Sequence, residues 1–149
     1  MASNAIAAYG TLIKRGASPT SPNQTFTTIA EVKSISGPST KVTVLDVTTH
    51  SSAASGNYME KLPSLIDPGE VTFDLNYVPS DATIQALRSD LTNRSKRQWK
   101  VQTPADATGA SQNIVFDGYV TDFPLEFPTD DVMGGSITIT ITGAITFTP

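Results

Sequence analysis

Cysteine is absent from the 149 residues, which excludes disulfide frameworks, thiolate metal sites and cysteine nucleophiles together. Histidine occurs once. His50 lies in a Thr-Thr-His-Ser-Ser run with no partner at ligand spacing, so it reads as a surface loop residue. Charged residues make up only 16% of the chain and the net charge is −4. With a pI near 4.7, this balance excludes the usual basic kind of nucleic-acid binder. No stretch approaches the 18 or so consecutive apolar residues of a membrane span. The first ten residues lack a basic segment, and Asn4 and Tyr9 break their apolar run, so no secretory leader is expected.

What fills the chain instead is hydroxyl: 21 threonines and 15 serines. Threonine favours strands and serine favours turns, so the composition leans to an all-β protein with hydroxylated faces. At 15.8 kDa the chain is one domain, 1–149, large enough to hold a core without staples.

Residues 1–8 are small and unpatterned and read as a flexible arm. A first strand is expected over 8–15, closed by a loop at 16–23 with one glycine and two prolines. Residues 25–36 read as a second strand with Phe26, Ile29, Val32 and Ile35. Gly37-Pro38-Ser39 is expected to turn it into a third over 40–49, making a hairpin. From His50 to Pro68 the regular pattern stops. A loop of this length is functional or disordered, yet its second half carries Tyr58, Met59, Leu62, Leu65 and Ile66. These five cannot bury themselves among Ser, Gly and Pro, so the segment is expected to order only against the core or another chain.

Residues 69–78 alternate cleanly, Val71, Phe73, Leu75 and Tyr77 against Glu70, Thr72, Asp74 and Asn76. Ser80 is the expected N-cap of the one good helix, with Ile84, Leu87 and Leu91 as its apolar stripe. Arg88 and Arg94 fall in its last turns. Strands follow over 99–104 and 113–123. Residues 136–148 then alternate with strict period two, Ile137, Ile139 and Ile141 against Thr138, Thr140 and Thr142. The sum is mainly β: a β-sandwich or partly rolled barrel of seven or eight strands with one flanking α-helix.

No catalytic constellation stands out. No local signature surrounds any serine, Asp130-Asp131 before Gly134-Gly135 is turn chemistry, and Asp117 and Asp122 are expected on opposite strand faces. No cofactor or metal is implied. The basic cluster Arg88, Arg94, Lys96, Arg97 and Lys100 holds half of the ten cations. It reads as a dressed helix end or as a patch meeting an acidic neighbouring subunit. The long Ser136–Thr148 strand has neither Pro nor Lys to block edge pairing, so self-assembly is a live reading.

The stretch Tyr58-Met59-Glu60-Lys61-Leu62-Pro63-Ser64-Leu65-Ile66-Asp67-Pro68-Gly69-Glu70-Val71-Thr72-Phe73, leading through Leu75-Asn76-Tyr77-Val78-Pro79 into the helix, resembles the tail tube proteins of long, non-contractile-tailed (siphovirus, lambda-like) bacteriophages. The likeness covers nearly the whole chain. Ser64 stands where that pattern leads one to expect glycine.

The resemblance implies a virion structural protein, assembled in the host cytoplasm, that stacks as hexameric rings around a tape-measure protein, between tail tip and tail terminator. The tube would enclose the channel for genome ejection, with DNA passing through the lumen without sequence-specific binding and no membrane involved. On this reading Tyr58, Met59, Leu62, Leu65 and Ile66 are inter-ring or inter-subunit residues. Candidate lumen residues are Glu70, Asp74, Asn76, Thr138, Thr140 and Thr142. Six copies of a −4 chain would give an acidic wall that repels phosphates. The alternatives are a monomeric β-sandwich binding module for carbohydrate or a receptor, for which Trp99 and four scattered tyrosines are the available aromatics, and another ring-former such as a head-tail joining protein or a secretion-system tube component.

Overall fold

The computed structural model describes residues 3, 5–17, 25–51 and 56–149. The expected arm and the expected loop at 16–23 therefore fall partly outside the described residues. Among the described residues, ten strands and one helix follow in the order β1 (Leu12–Gly16), β2 (Phe26–Thr28), β3 (Val32–Ser36), β4 (Lys41–Asp46), β5 (Lys61–Asp67), β6 (Glu70–Asn76), α1 (Ala82–Asn93), β7 (Arg97–Gln102), β8 (Asn113–Asp122), β9 (Leu125–Glu126) and β10 (Gly134–Thr148).

Seven strands run in the order β2-β1-β7-β8-β10-β6-β3, β9 adds to β10, and β4 pairs only with β5. Every pairing is antiparallel. The two ends of the large sheet, β2 and β3, are separated by only Ile29, Ala30 and Glu31. Three residues span at most about 11 Å, so the sheet must curl until its edges approach. It stops short of a closed barrel. Glu31 takes a positive φ of 63° in this connection, which breaks the single strand expected over 25–36 into β2 and β3.

The curl has a dry inside. Alternation sends Val71, Phe73 and Leu75 of β6, Trp99 and Val101 of β7, Phe116 and Val120 of β8, and Ile137, Ile139 and Ile141 of β10 into one core, joined by Ile84 and Leu87 of α1. Asp90 is the one buried charged residue among those described, 1% exposed. Its carboxylate accepts from Arg15 of β1 and Arg97 of β7, which ties the helix to the sheet.

The helix cap differs from the expected one by a residue. Asp81, and not Ser80, is the N-cap: its Oδ1 accepts from the backbone N–H of Thr83 at 2.8 Å and of Ile84 at 3.3 Å, and from the Thr83 hydroxyl. Ser80 lies instead in the preceding turn, where Asp81 N–H bonds the Val78 carbonyl. A carboxylate is also the stronger partner for the positive helix end. Arg94 is not in the last turn; it caps the C-terminus in the left-handed conformation, φ 54°, a position glycine usually holds.

The larger correction concerns residues 37–67. No hairpin joins the second and third expected strands, because Gly37-Pro38-Ser39 does not reverse the chain. Ser36 lies opposite Thr72 and Lys41 opposite Asp67, the same register on both sides of a short gap. β3 continues into β4, β6 is preceded by β5, and the four form one long antiparallel ladder interrupted at 37–40 and 68–69. The outer part, β4 with β5, projects as a two-stranded ribbon. Seven residues of the loop expected over 50–68 are thus strand, Lys61–Asp67.

The gap is crossed where backbones touch. A Cβ on Gly69 (φ +78°) would run into the Ser39 carbonyl, and one on Gly37 (φ +106°) would sit 2.6 Å from the Glu70 carbonyl oxygen. Only glycine fits either place.

Candidate functional site

Two surfaces collect most of the residues singled out above: the outward face of the curled sheet and the ribbon.

Residues directly opposite in an antiparallel pair share a face. Thr140 lies opposite Glu70, Thr138 opposite Thr72, Ser136 opposite Asp74 and Gly134 opposite Asn76. Thr142 follows on β10. All six candidate lumen residues, Glu70, Asp74, Asn76, Thr138, Thr140 and Thr142, therefore lie on one face of two adjacent strands, turned away from the core. A hydroxyl network ties that face to its neighbours. Ser34 Oγ donates to Asp74 Oδ2 at 3.1 Å, the Asn76 amide donates to Glu31 Oε2 at 3.3 Å, and the hydroxyls of Thr121 and Thr140 are 3.0 Å apart.

Two more carboxylates belong here, and sequence reasoning missed one of the reasons. Asp117 pairs with Thr142 and Asp122 with Thr138, so both share the outward face. The expected opposite placement fails because the register shifts between Thr138 and Ile139. One extra residue in β8 flips the parity beyond it. Along the strand they remain roughly 16 Å apart, too far to act as a dyad. Cations lie further round the same curled face, where Lys14 and Lys100 stand opposite each other on β1 and β7.

The five cations of the expected basic patch do not form one surface. Arg88 leans over the rings of Tyr77 and Phe123, 5.8 and 5.4 Å from their centroids. Arg97 points to the helix side, bonding Asp90 at 3.2 Å and the Ala17 carbonyl at 2.6 Å. Lys100, three residues on, lies over the ring of Phe26 at 4.3 Å. Arg94 and Lys96 stay at the helix end. Trp99 is fully buried, its indole N–H donating to the Gly118 carbonyl at 3.2 Å. The chain's one tryptophan is therefore not presented for stacking on a sugar ring.

The ribbon is the other surface. Tyr58, Met59, Leu62, Leu65 and Ile66 are all exposed, Leu65 by 80%. Sequence reasoning missed their partners across the ribbon: Val42 faces Ile66, Val44 faces Pro63 and Leu45 faces Leu62. These three are exposed too. Charge marks the ribbon ends, with Lys41 opposite Asp67 and Asp46 opposite Lys61. Hydrogen bonds from the Thr48 hydroxyl and N–H hold the Asp46 carboxyl below its usual range, with attraction from Lys61 adding to them.

This fold recurs in solved structures of tails and injection systems. The tail of an empty gene transfer agent (GTA) particle, solved with C6 symmetry, is similar with a TM-score of 0.72, 18% identity, and coverage of 97% of this chain and 100% of that one. The tube terminator of an extracellular contractile injection system (PVC) gives 0.71, 13% identity, and 100% coverage of both. The SPP1 tail tube gives 0.66, 8% identity, 92% of this chain and 75% of that one. No curated protein sequence matches the chain significantly. The fold alone spans both tubes and a terminator, and the sequence separates them. Residues 17–149 match the family described as phage tail tube, TTP, lambda-like, and the chain belongs to that family. It is a virion structural protein of the tail.

Proposed function

We propose that this protein polymerises as stacked hexameric rings into the tail tube and that its outward sheet face lines the channel for genome delivery. The observation that carries the reading is the family match over 17–149. Two features of the chain support its detail. The face bearing Glu70, Asp74, Asp117 and Asp122 among threonines carries carboxylates that repel phosphates and hydroxyls that bind them weakly, so DNA slides over it. The ribbon exposes apolar side chains that only another chain can cover. The protein acts as a structural part and not as an enzyme. Its other contacts are a tape-measure protein within the tube during assembly and the tail tip and terminator at the two ends.

Negative-stain electron microscopy of the concentrated protein, with light-scattering mass, tests the proposal. Rings or hollow tubes with sixfold symmetry are expected, alone or after addition of tail tips as initiators. A strict monomer under both conditions would reject it.

A further inference from the structure

The outward face of the curled sheet does not carry one sign throughout. Its acids Glu70, Asp74, Asp117 and Asp122 stand on β6 and β8, whereas β2, β1 and β7 bring Lys14 and Lys100 to the face and no carboxylate. Alternation fixes the direction of both lysines. On β1, Ile13 is buried and Arg15 reaches the buried Asp90, one on each side of Lys14. On β7, Trp99 and Val101 are buried on either side of Lys100. Both lysines therefore leave the sheet on the side away from the core.

The two are direct partners across β1 and β7. Residues so placed have Cβ atoms about 5 Å apart, and like charges there destabilise the strand pair. Among the described residues no acid offsets this cost, since the ion pairs are those of Arg15 and Arg97 with Asp90. Asp117 stands on the next strand, two residues from Val115, the partner of Lys100. Such a diagonal spacing of about 7–8 Å is within reach of a lysine, yet Lys100 turns the other way. Its Nζ lies 4.3 Å from the centroid of the Phe26 ring on β2. Gly16, opposite Phe26, puts no side chain between them. The ring draws the ammonium over β1, to the side of Lys14, and leaves its N–H groups to other acceptors. Thr28, opposite Lys14 on β2, and Gln102, two residues along β7 from Lys100, place a hydroxyl and an amide on the same part of the face.

We infer that Lys14 and Lys100 form a binding site for a phosphodiester group, filled by the nucleic acid that passes along this face. The choice of nucleic acid rests on the channel reading and deepens it: the wall has a stripe that holds phosphates beside one that repels them. A phosphate brings the negative charge that the pair lacks, and several oxygens for ammonium, hydroxyl and amide donors. A carboxylate is already within reach in Asp117 and is not used. The contact releases readily, because lysine–phosphate pairs on an open surface are screened by salt. In a ring of subunits each copy sets one such pair among acidic stretches. A passing duplex is then held lightly at repeated points and pushed off between them.

Amide NMR on the free subunit tests the site without requiring assembly. The probes are a short DNA duplex, inorganic phosphate and polyglutamate, compared at equal negative charge and low salt. Duplex-induced shifts are expected at residues 12–16, 26–28 and 98–102. The slope of log affinity against log salt should fall by about 2 in the double variant Lys14→Gln, Lys100→Gln. The pair Lys41→Gln, Lys61→Gln removes the same charge from the ribbon and should leave the slope unchanged. Should the double variant not fold, the shift map of the unmodified chain decides alone. Duplex shifts that miss these residues overturn the site, and so do larger shifts there from phosphate or polyglutamate than from the duplex. Either result leaves the tube reading intact, because ring formation is judged separately by microscopy.

Discussion

Asp90 of α1 and Arg15 of β1 meet in a two-pronged ion pair: Arg15 Nε donates to Oδ2 at 2.5 Å and Nη2 to Oδ1 at 2.8 Å. Arg97 Nε donates to the same Oδ1 at 3.2 Å, so one carboxylate, 2% exposed at its side chain, holds two guanidiniums that keep 18% and 23% exposure. Removing the carboxylate strands two like charges beside a dry core. Asp90→Ala is expected to destabilise the fold by about 3–5 kcal/mol, the scale for breaking a buried pair on one side. Urea unfolding of the monomer measures it. A loss below about 1 kcal/mol would mean that the two arginines find water instead.

None of this clamp was legible in the sequence, and the reason is physical. Asp90 lies 75 residues from Arg15, and no local pattern encodes a contact across a curled sheet. Arg97 read as one of a basic cluster because proximity in sequence ignores the alternation that sends Arg97 and Lys100 to opposite faces. By contrast, β6 and β10 were plain from their period-two patterns, whereas the pairing that puts Glu70 opposite Thr140 and Asp74 opposite Ser136 was not. The ribbon was half legible. Its apolar residues stood out and β4 falls inside the strand expected over 40–49, but β5 did not show, because Pro63 and a register slip interrupt the alternation that marks a strand. The two register shifts between β8 and β10 were invisible for a related reason, since a bulge is a relation between strands.

Gly69 tests the ribbon base. Its positive φ and the Ser39 carbonyl leave no room for a side chain. Gly69→Ala is expected to cost roughly 1 kcal/mol or more, because a position with φ > 0 and a backbone clash penalises alanine twice. The Asp67 carboxylate that accepts from Gly69 N–H at 2.9 Å would be displaced with it. Thermal melting should show the loss. Tube formation should fall further than stability does, because the ribbon would be aimed wrongly.

Asp81 supplies a pH signature. The Thr83 hydroxyl, then the N–H groups of Thr83 and Ile84, bond its carboxylate and lower its pKa below the ordinary 3.8. A depressed folded-state pKa means that the cap's contribution is complete above about pH 4 to 5 and is lost as pH falls through the folded value. Asp81→Ala should cost about 1 kcal/mol at pH 7. Asp81→Asn keeps most of the cap and removes its pH dependence. Melting temperatures at pH 7 and pH 3 check both: the gap between wild type and Asp81→Ala must narrow at pH 3.

Asp74 tests the channel face. It is exposed, accepts a hydrogen bond from Ser34 of β3, and its side chain faces away from the core. Asp74→Lys should leave folding and tube assembly intact while placing a cation on each subunit's contribution to the wall. Phosphates would then be held where they were repelled, and genome delivery from particles carrying the variant should slow. Ejection followed by DNA release at two salt concentrations is the measurement. The retardation must shrink at high salt, and unchanged ejection at both would place Asp74 outside the lumen.

Leu65 separates folding from assembly most sharply. At 80% exposure it contributes almost nothing to the core of the single chain, so Leu65→Asp should leave the monomer's melting temperature within about 2–4 °C, the shift that 1 kcal/mol brings at this size. In the assembled tube the same carboxylate would have to be buried in an apolar contact without a partner, at a cost of several kcal/mol per subunit. Because every ring repeats the penalty, the variant should remain monomeric where the wild-type chain forms tubes. Sedimentation of the two proteins side by side decides the matter. Tubes of normal length from Leu65→Asp would show that this face of the ribbon stays in water after assembly.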